Sequence, residues 1–312
     1  MIQAKDWIML GLMLGSMAVS YLWPQAGAPF KPYPAYFMMG LLFLSFLSIS
    51  SRSIVQTARE HGLRLLGWLA LKLVVLPVAL FFLLRAVYPQ YALAGLLLGG
   101  ISTGVVAPFF STLLRANTAI SVLMVTTTSI LVPFTLPALV RILAGQTLDI
   151  SLLSMARILA QVVFVPLAAS EIVRSVFPSI TEKIVARRYP VSLILCVVIV
   201  LGVFSRYADY LHKNPAVILD VLVASTALAV LLFAAGVLAS FGQGVADRLA
   251  VVISFGLINN ILVVVFSSEF FGPIEALVAM IYAIPFFCSI VFLRAYAGFL
   301  TRGRLHSSHT PA

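Results

Sequence analysis

Gly99-Gly100-Ile101-Ser102-Thr103-Gly104, with Pro108 four residues further on, and Ser254-Phe255-Gly256-Leu257-Ile258-Asn259-Asn260 each interrupt a long apolar run in mid-course. Lipid offers no water to backbone groups that leave a helix. Each such group costs several kcal/mol, so a broken helix persists only where it is buried in protein or lines a wet cavity. Pro108 withdraws an amide donor and crowds the preceding turn, and the glycines lower the cost of unwinding. Either stretch alone fits a kinked but continuous helix. Two at matching positions in the two halves of the chain predict paired half-helices, whose free N–H and C=O ends suit a small charged solute.

The surroundings of these stretches set the solvent. Of 312 residues, 62% are hydrophobic and 10% charged, with a mean hydropathy of +1.11. A soluble domain is about half apolar and about a quarter charged, so most of this chain has lipid around it. That excludes a soluble enzyme, a disulfide scaffold, a nucleic-acid-binding domain and a disordered chain. Apolar runs bounded by charge, proline or glycine cover residues 6–23, 34–50, 64–87, 90–113, 117–143, 151–176, 189–210, 215–240, 245–268 and 273–299. A crossing takes about 20 residues, and the sequence predicts ten transmembrane helices in an all-α polytopic membrane protein. The connection Ala144–Asp149 divides them five and five. An odd-numbered half, if repeated, inserts upside down, which gives two inverted five-helix repeats.

The net charge of +10 comes from basic residues scattered singly between the apolar runs, a pattern that orients a membrane protein rather than gripping nucleic acid. Lys5, Arg52, Arg59, Arg64, Arg115, Arg174, Lys183, Arg187, Arg188, Arg248, Arg294, Arg302 and Arg304 fall on one side. Lys31, Arg85, Arg141, Arg157, Arg206 and Lys213 fall on the other. The richer side is cytoplasmic by the positive-inside rule, so both termini are expected in the cytoplasm of a cell's inner membrane. The N-terminal run reads as a retained first helix, because no small-residue cleavage site precedes Trp23-Pro24. Ser51 to His61 reads as an amphipathic surface connection. Cys196 and Cys288 read as buried, inert thiols without metal-ligand spacing.

Few residues carry chemistry. Lys72 lies about eight residues inside its run, where a lysine costs about 2.5–3.5 kcal/mol on insertion scales and is a functional residue by default. Asn259 and Asn260 are amides that need partners once buried. Ser121, Thr126, Thr127, Thr128 and Ser129 carry hydroxyls that mostly bond carbonyls of their own helix. Gly104, Pro108 and Ser111 line the first interruption. Asp220 reads as interfacial and Glu171 as lying near the surface. His61, His212, His306 and His309 lie outside the predicted spans, and no paired intramembrane acids occur. No catalytic set and no resident cofactor or metal is expected.

Leu114-Arg-Ala-Asn-Thr-Ala-Ile-Ser121, followed by Thr126-Thr-Thr-Ser129 and by Pro133 and Pro137, resembles the fifth helix of the bile acid:sodium symporter family. Phe255-Gly-Leu-Ile-Asn-Asn-Ile-Leu262 resembles its crossover helix, Leu71-Lys-Leu-Val-Val-Leu-Pro77 its third, and Ile158-Leu-Ala-Gln-Val-Val-Phe-Val-Pro166 its sixth. The resemblance implies a core of helices 3–5 and 8–10 (residues 64–143 and 213–300) containing two crossing broken helices. It also implies a panel of helices 1–2 and 6–7 (residues 1–63 and 151–212) and a cytoplasmic tail at 301–312. Alternating access would move core against panel around an organic anion in the cleft, with Gln161 a panel-side contact.

Members of that family bind two sodium ions near the crossing, and here most of the corresponding oxygen ligands are replaced. A Ser-Asn pair becomes Ala107-Pro108. Ser121 is retained, while Val125 replaces a threonine with Thr126 beside it. A glutamate becomes Ser254, a glutamine Ile258, and a second glutamine Lys72. A hard cation needs several oxygens around it, so sodium coupling is not expected to be strong. Lys72 is read as an ammonium in the vacated second site, with Ser121, Thr126 and Ser254 around the ion positions. It acts as a fixed structural cation, as a residue that gains and loses a proton and so couples transport to H+, or as a direct partner of a substrate carboxylate. The leading expectation is a secondary transporter of a small organic anion. The alternatives are a metalloid permease of the same superfamily, whose branch carries a cysteine in span four that is missing here, and a non-transporting receptor or scaffold.

Overall fold

The computed structural model describes residues 4–48, 51–145 and 151–307. The Ala144–Asp149 connection and the end of the tail fall partly outside these residues. In chain order the helices are α1 (Ala4–Leu22), α2 (Pro24–Gly27), α3 (Pro34–Leu47), α4 (Ser51–Ala70), α5 (Leu76–Val87), α6 (Ala92–Gly100), α7 (Ala107–Leu113), α8 (Thr118–Ala144), α9 (Leu152–Val176), α10 (Pro178–Ala186), α11 (Arg188–Lys213), α12 (Val217–Ala239), α13 (Val245–Gly256), α14 (Asn260–Phe270), α15 (Pro273–Ile281) and α16 (Ala283–Ser307). Short 3-10 turns at Ala28–Phe30 and Pro89–Tyr91 join some of them, and a wide π turn at Leu71–Val75 links α4 to α5. The sole β pairing among the described residues is an isolated bridge.

Six helical stretches are long and apolar enough to cross a bilayer: Arg59–Val87, Thr118–Ala144, Leu152–Val176, Arg188–Lys213, Val217–Ala239 and Pro273–Thr301. Their outer faces are apolar as well, with Leu63 87%, Leu153 75% and Ile142 74% exposed. A surface of that kind is stable only against lipid. The chain is a multi-pass membrane protein.

Local sequence explains where the helices start and stop. Asn117 caps α8 by accepting the Ala119 and Ile120 amides, and Ser151 caps α9 through the Ser154 amide. Prolines open α2, α3, α7, α10 and α15, where a missing amide costs nothing. Both expected interruptions are present. The fourth run divides between α6 and α7, and the ninth between α13 and α14. Twelve residues of α13 reach only about 18 Å at 1.5 Å each, too short to cross alone.

Four sequence readings are corrected. Ser51–His61 is helical, the first part of α4 before a kink at Gly62. An extra helix, α10, precedes α11. The last run is not one helix: it bends at Tyr282, because Pro285 has no amide to give the carbonyl four residues back. Cys196 is buried as expected, but Cys288 is exposed, on the apolar outer face of α16 where a thiol behaves as a small hydrophobe.

The helices pack in two sets. In one, α1 and α3 lie on α11, and α9 lies on α3. In the other, α8 gathers α4, α6, α7 and α13, while α12 holds α13 and α15. The sets join where α8 meets α9, where α14 meets α3 and α11, where α15 meets α11, and where α1 touches α16.

Candidate functional site

The two interrupted runs meet at their interruptions. Thr103 pairs with Ile258 in the antiparallel bridge. The Gly104 amide donates to the Leu257 carbonyl at 2.6 Å and the Asn259 amide to the Ser102 carbonyl at 2.8 Å. Backbones this close leave no room for a side chain, since a Cβ on Gly104 would stand 2.6 Å from the Ile258 oxygen. Pro108 lies in the first turn of α7, half-buried.

The end of α13 is then fully accounted for. A helix leaves its last four carbonyls without partners inside the helix; here the first is met by the cap residue that follows α13 and the other three by remote side chains. Ile253 O accepts the Leu257 amide at 2.8 Å, and Ser254 O accepts the Thr103 hydroxyl at 2.9 Å. Phe255 O accepts the Lys72 ammonium at 3.4 Å. Gly256 O accepts the Tyr282 hydroxyl at 2.9 Å and the Ile258 amide at 3.2 Å.

Lys72 reaches this point through the π turn. Pro77 has no amide for the Leu73 carbonyl, and the ladder widens so that the Leu76 amide bonds Leu71 O, five residues back. The Lys72 side chain is 0% exposed, with Nζ 5.5 Å from the centre of the Phe255 ring. Among the described residues no carboxylate pairs with it. Its compensation is the negative end of the α13 dipole and the face of the Phe255 ring.

The hydroxyls divide between structural and open roles. Thr126, Thr127 and Thr128 donate to the carbonyls of Val122, Leu123 and Met124 at 3.0, 2.7 and 2.5 Å. Thr128 Oγ1 also accepts the Thr103 amide at 2.9 Å, tying α8 to the crossing. Ser254 donates to Ala250 O at 2.7 Å, and the hydroxyls of Ser111 and Ser121 meet at 2.6 Å. Asn259 caps α14 by accepting the Leu262 amide at 3.3 Å. Its Nδ2, with Ser102 Oγ, Ser129 Oγ and Asn260 Oδ1, is buried without a partner. Buried polar atoms of this kind call for a solute or water.

Lys72, Gly104, Ser254 and Asn259 thus come together at the crossing, with Asn260 beside them, while Ser111 and Ser121 pair between α7 and α8. Gln161 is exposed on α9, whose buried face is Met155, Leu159, Val162 and Val163. Asp220 is exposed in the first turn of α12, and exposed Glu171 pairs with Arg174 at 2.7 Å. Sequence reading missed Thr103 as a contact and Tyr282 altogether. A lone tyrosine three residues before Pro285 inside an apolar run was the available signal for the second.

A lipid-facing helical bundle whose polar groups converge on two crossed, broken helices belongs to the class of multi-pass membrane transporters. Residues 34–214 match the sodium bile acid symporter family, and the chain belongs to that family. Its relatives are transporters, not enzymes. It is 25% identical over 282 residues to the uncharacterized sodium-dependent transporter YocS of Bacillus subtilis (strain 168), covering 89% of this chain and 85% of that protein. It is 26% identical over 308 residues to the probable sodium/metabolite cotransporter BASS1, chloroplastic, of Arabidopsis thaliana, covering 95% of this chain and 72% of that one.

Proposed function

We propose that this chain is a secondary transporter that moves a small organic anion by alternating access, with the Lys72 ammonium standing where relatives hold a sodium ion. The observation that carries the reading is Lys72 Nζ, fully buried, on the Phe255 carbonyl at the end of a broken helix. A fixed cation there compensates the helix end without an ion from solution. Of the groups left open at the crossing, Asn259 Nδ2 and the hydroxyls of Ser102 and Ser129 can donate to an anion, while Asn260 Oδ1 can accept from a hydroxyl or protonated group on it.

The reading includes ten spans in two inverted repeats, six of them long stretches and the rest α1, α3 and the broken pairs α6–α7 and α13–α14. Residues 64–143 and 213–300 form a core, and residues 1–63 and 151–212 form a panel. Two observations support this division: the separate packing of α1, α3, α9 and α11, and the gathering of α4, α6, α7 and α13 around α8. Both termini are cytoplasmic in this arrangement, by the excess of basic residues on that side.

The names of the two relatives give one as a sodium-dependent transporter and the other as a probable sodium/metabolite cotransporter, so the decisive experiment is on coupling. Purified protein in liposomes is given a panel of radiolabelled mono- and dicarboxylates in sodium or choline buffer, with and without a pH gradient. Equal uptake in sodium and choline is expected, insensitive to the gradient. Lys72→Ala is expected to lower uptake at least about tenfold in both buffers, the equivalent of one charge-assisted hydrogen bond. A steep sodium requirement in the unmodified protein overturns the reading. A gradient requirement that Lys72→Ala abolishes replaces the fixed cation with a proton-coupling lysine.

A further inference from the structure

The crossing is covered unequally. Ile261 to Ser268 of α14 and nearly all of α6 are buried, and α14 packs on α3 and α11 as well as on α15 and α6. The complementary half-helix α7 packs on α8 and α13 and leaves Phe109 45% exposed and Thr112 exposed. Among the described residues, α14 is therefore covered by both helix sets, while α7 keeps an uncovered face.

One side chain spans the covered end. Arg206, on α11, donates from one terminal nitrogen to Ser268 O at 2.7 Å and from the other to Lys31 O at 2.8 Å. Glu269 Oε1 stands 3.8 Å away. Ser268 O is one of the last-turn carbonyls of α14, which have no acceptor role inside the helix. A guanidinium there satisfies the carbonyl and compensates the negative helix end. The Lys31 side of the contact is closely packed. Gly27 and Gly202 let the α2–Phe30 segment press against α11: a Cβ on Gly27 would overlap Ser205 Oγ, and one on Gly202 would stand 2.7 Å from Phe30 O. Arg206 is thus anchored within one helix set and reaches into the other.

We propose that Arg206 is the positioning residue that holds the transport pathway shut at this end, and that opening toward this side requires its bond to Ser268 to break. The proposal rests on the alternating-access reading above. A lysine carries the charge but not the planar fork that spans two carbonyls at once, so it restores the closed state only in part. Glu269 adds a weaker, half-exposed contribution.

The test measures opening without any substrate. Spin labels on cysteines at Pro32 and Gly272, both exposed, with Cys196 and Cys288 changed to serine, report the distance across the closed end in liposomes. The Arg206-containing protein is expected to give one dominant short distance. Arg206→Gln is expected to raise the long-to-short ratio at least about tenfold, as loss of a charge-assisted hydrogen bond implies, and Arg206→Lys by less. If Arg206→Gln does not fold, the lysine variant alone decides, with a measurable lengthening expected. Unchanged distances in the folded variants overturn the proposal. Because the readout is a distance, failure to find any transported anion would overturn the transport reading and leave the distance result standing, and the converse holds.

Discussion

The contact at Gly104 offers the sharpest test of the crossing. In Gly104→Ala the new Cβ would stand 2.6 Å from Ile258 O and 2.9 Å from Leu257 O, where ordinary contact begins near 3.4 Å. The two segments must part by about 0.8 Å to admit it, and both acceptors are backbone, with no side-chain rotation to give way. That separation stretches the Gly104–Leu257 and Asn259–Ser102 hydrogen bonds from 2.6 and 2.8 Å past the usual range of about 2.7–3.2 Å and weakens both. Losing each bond costs about 1 kcal/mol net, rising to about 3 kcal/mol where a buried group is left open, so the two together cost about 2–6 kcal/mol. Gly67→Ala is the control. Its Cβ meets nothing within 4 Å, and alanine in place of a mid-helix glycine gains roughly 0.5–1 kcal/mol. Thermal unfolding in detergent, followed by size-exclusion recovery, is expected to show the Gly104→Ala midpoint lower by about 5 °C or more, with Gly67→Ala level or higher. A Gly104→Ala protein that melts with the unmodified one would refute the close approach of the two interruptions.

Asn259→Ser keeps an oxygen for the α14 cap and removes the open amide. Its stability is expected to hold within about 0.5 kcal/mol, while half-maximal uptake of the transported anion shifts to about tenfold higher concentration, roughly one charge-free hydrogen bond's worth. Asn117→Ala removes the α8 cap and the 2.8 Å bond from Nδ2 to Asp247. A loss of about 2–3 kcal/mol is expected in the same melting assay. Asn117→Asp keeps the cap but sets two carboxylates against each other, and it is not expected to recover the full amount.

Much of the architecture follows from sequence alone. Where glycine, proline and asparagine fall inside apolar runs, the helix loses backbone bonds that lipid cannot replace, and both breaks were legible for that reason. The bend at Tyr282 was less legible, because Pro285 sits in a run with no polar neighbour. The helical course of Ser51–His61 was hidden because polarity there signals surface but not conformation. The site residues divide the same way. Lys72 stood out because a buried ammonium is costly wherever it lies. Thr103 and Tyr282 did not, because a threonine or tyrosine in an apolar run usually bonds locally, and only three-dimensional proximity gives it a remote carbonyl.

The sequence by itself determined that lipid is the solvent, roughly where the chain enters and leaves it, and which two runs cannot remain whole. These are matters of transfer free energy and backbone bonding, each settled within some twenty residues. Only the tertiary structure decided that the two breaks cross, that three end carbonyls of α13 are met by the remote side chains of Thr103, Lys72 and Tyr282, and that Arg206 bridges the two helix sets. In an all-apolar helix every face is equally content with lipid or with protein. Which faces meet is therefore fixed by packing shape and by a handful of long-range hydrogen bonds, and neither leaves a periodic trace in the chain.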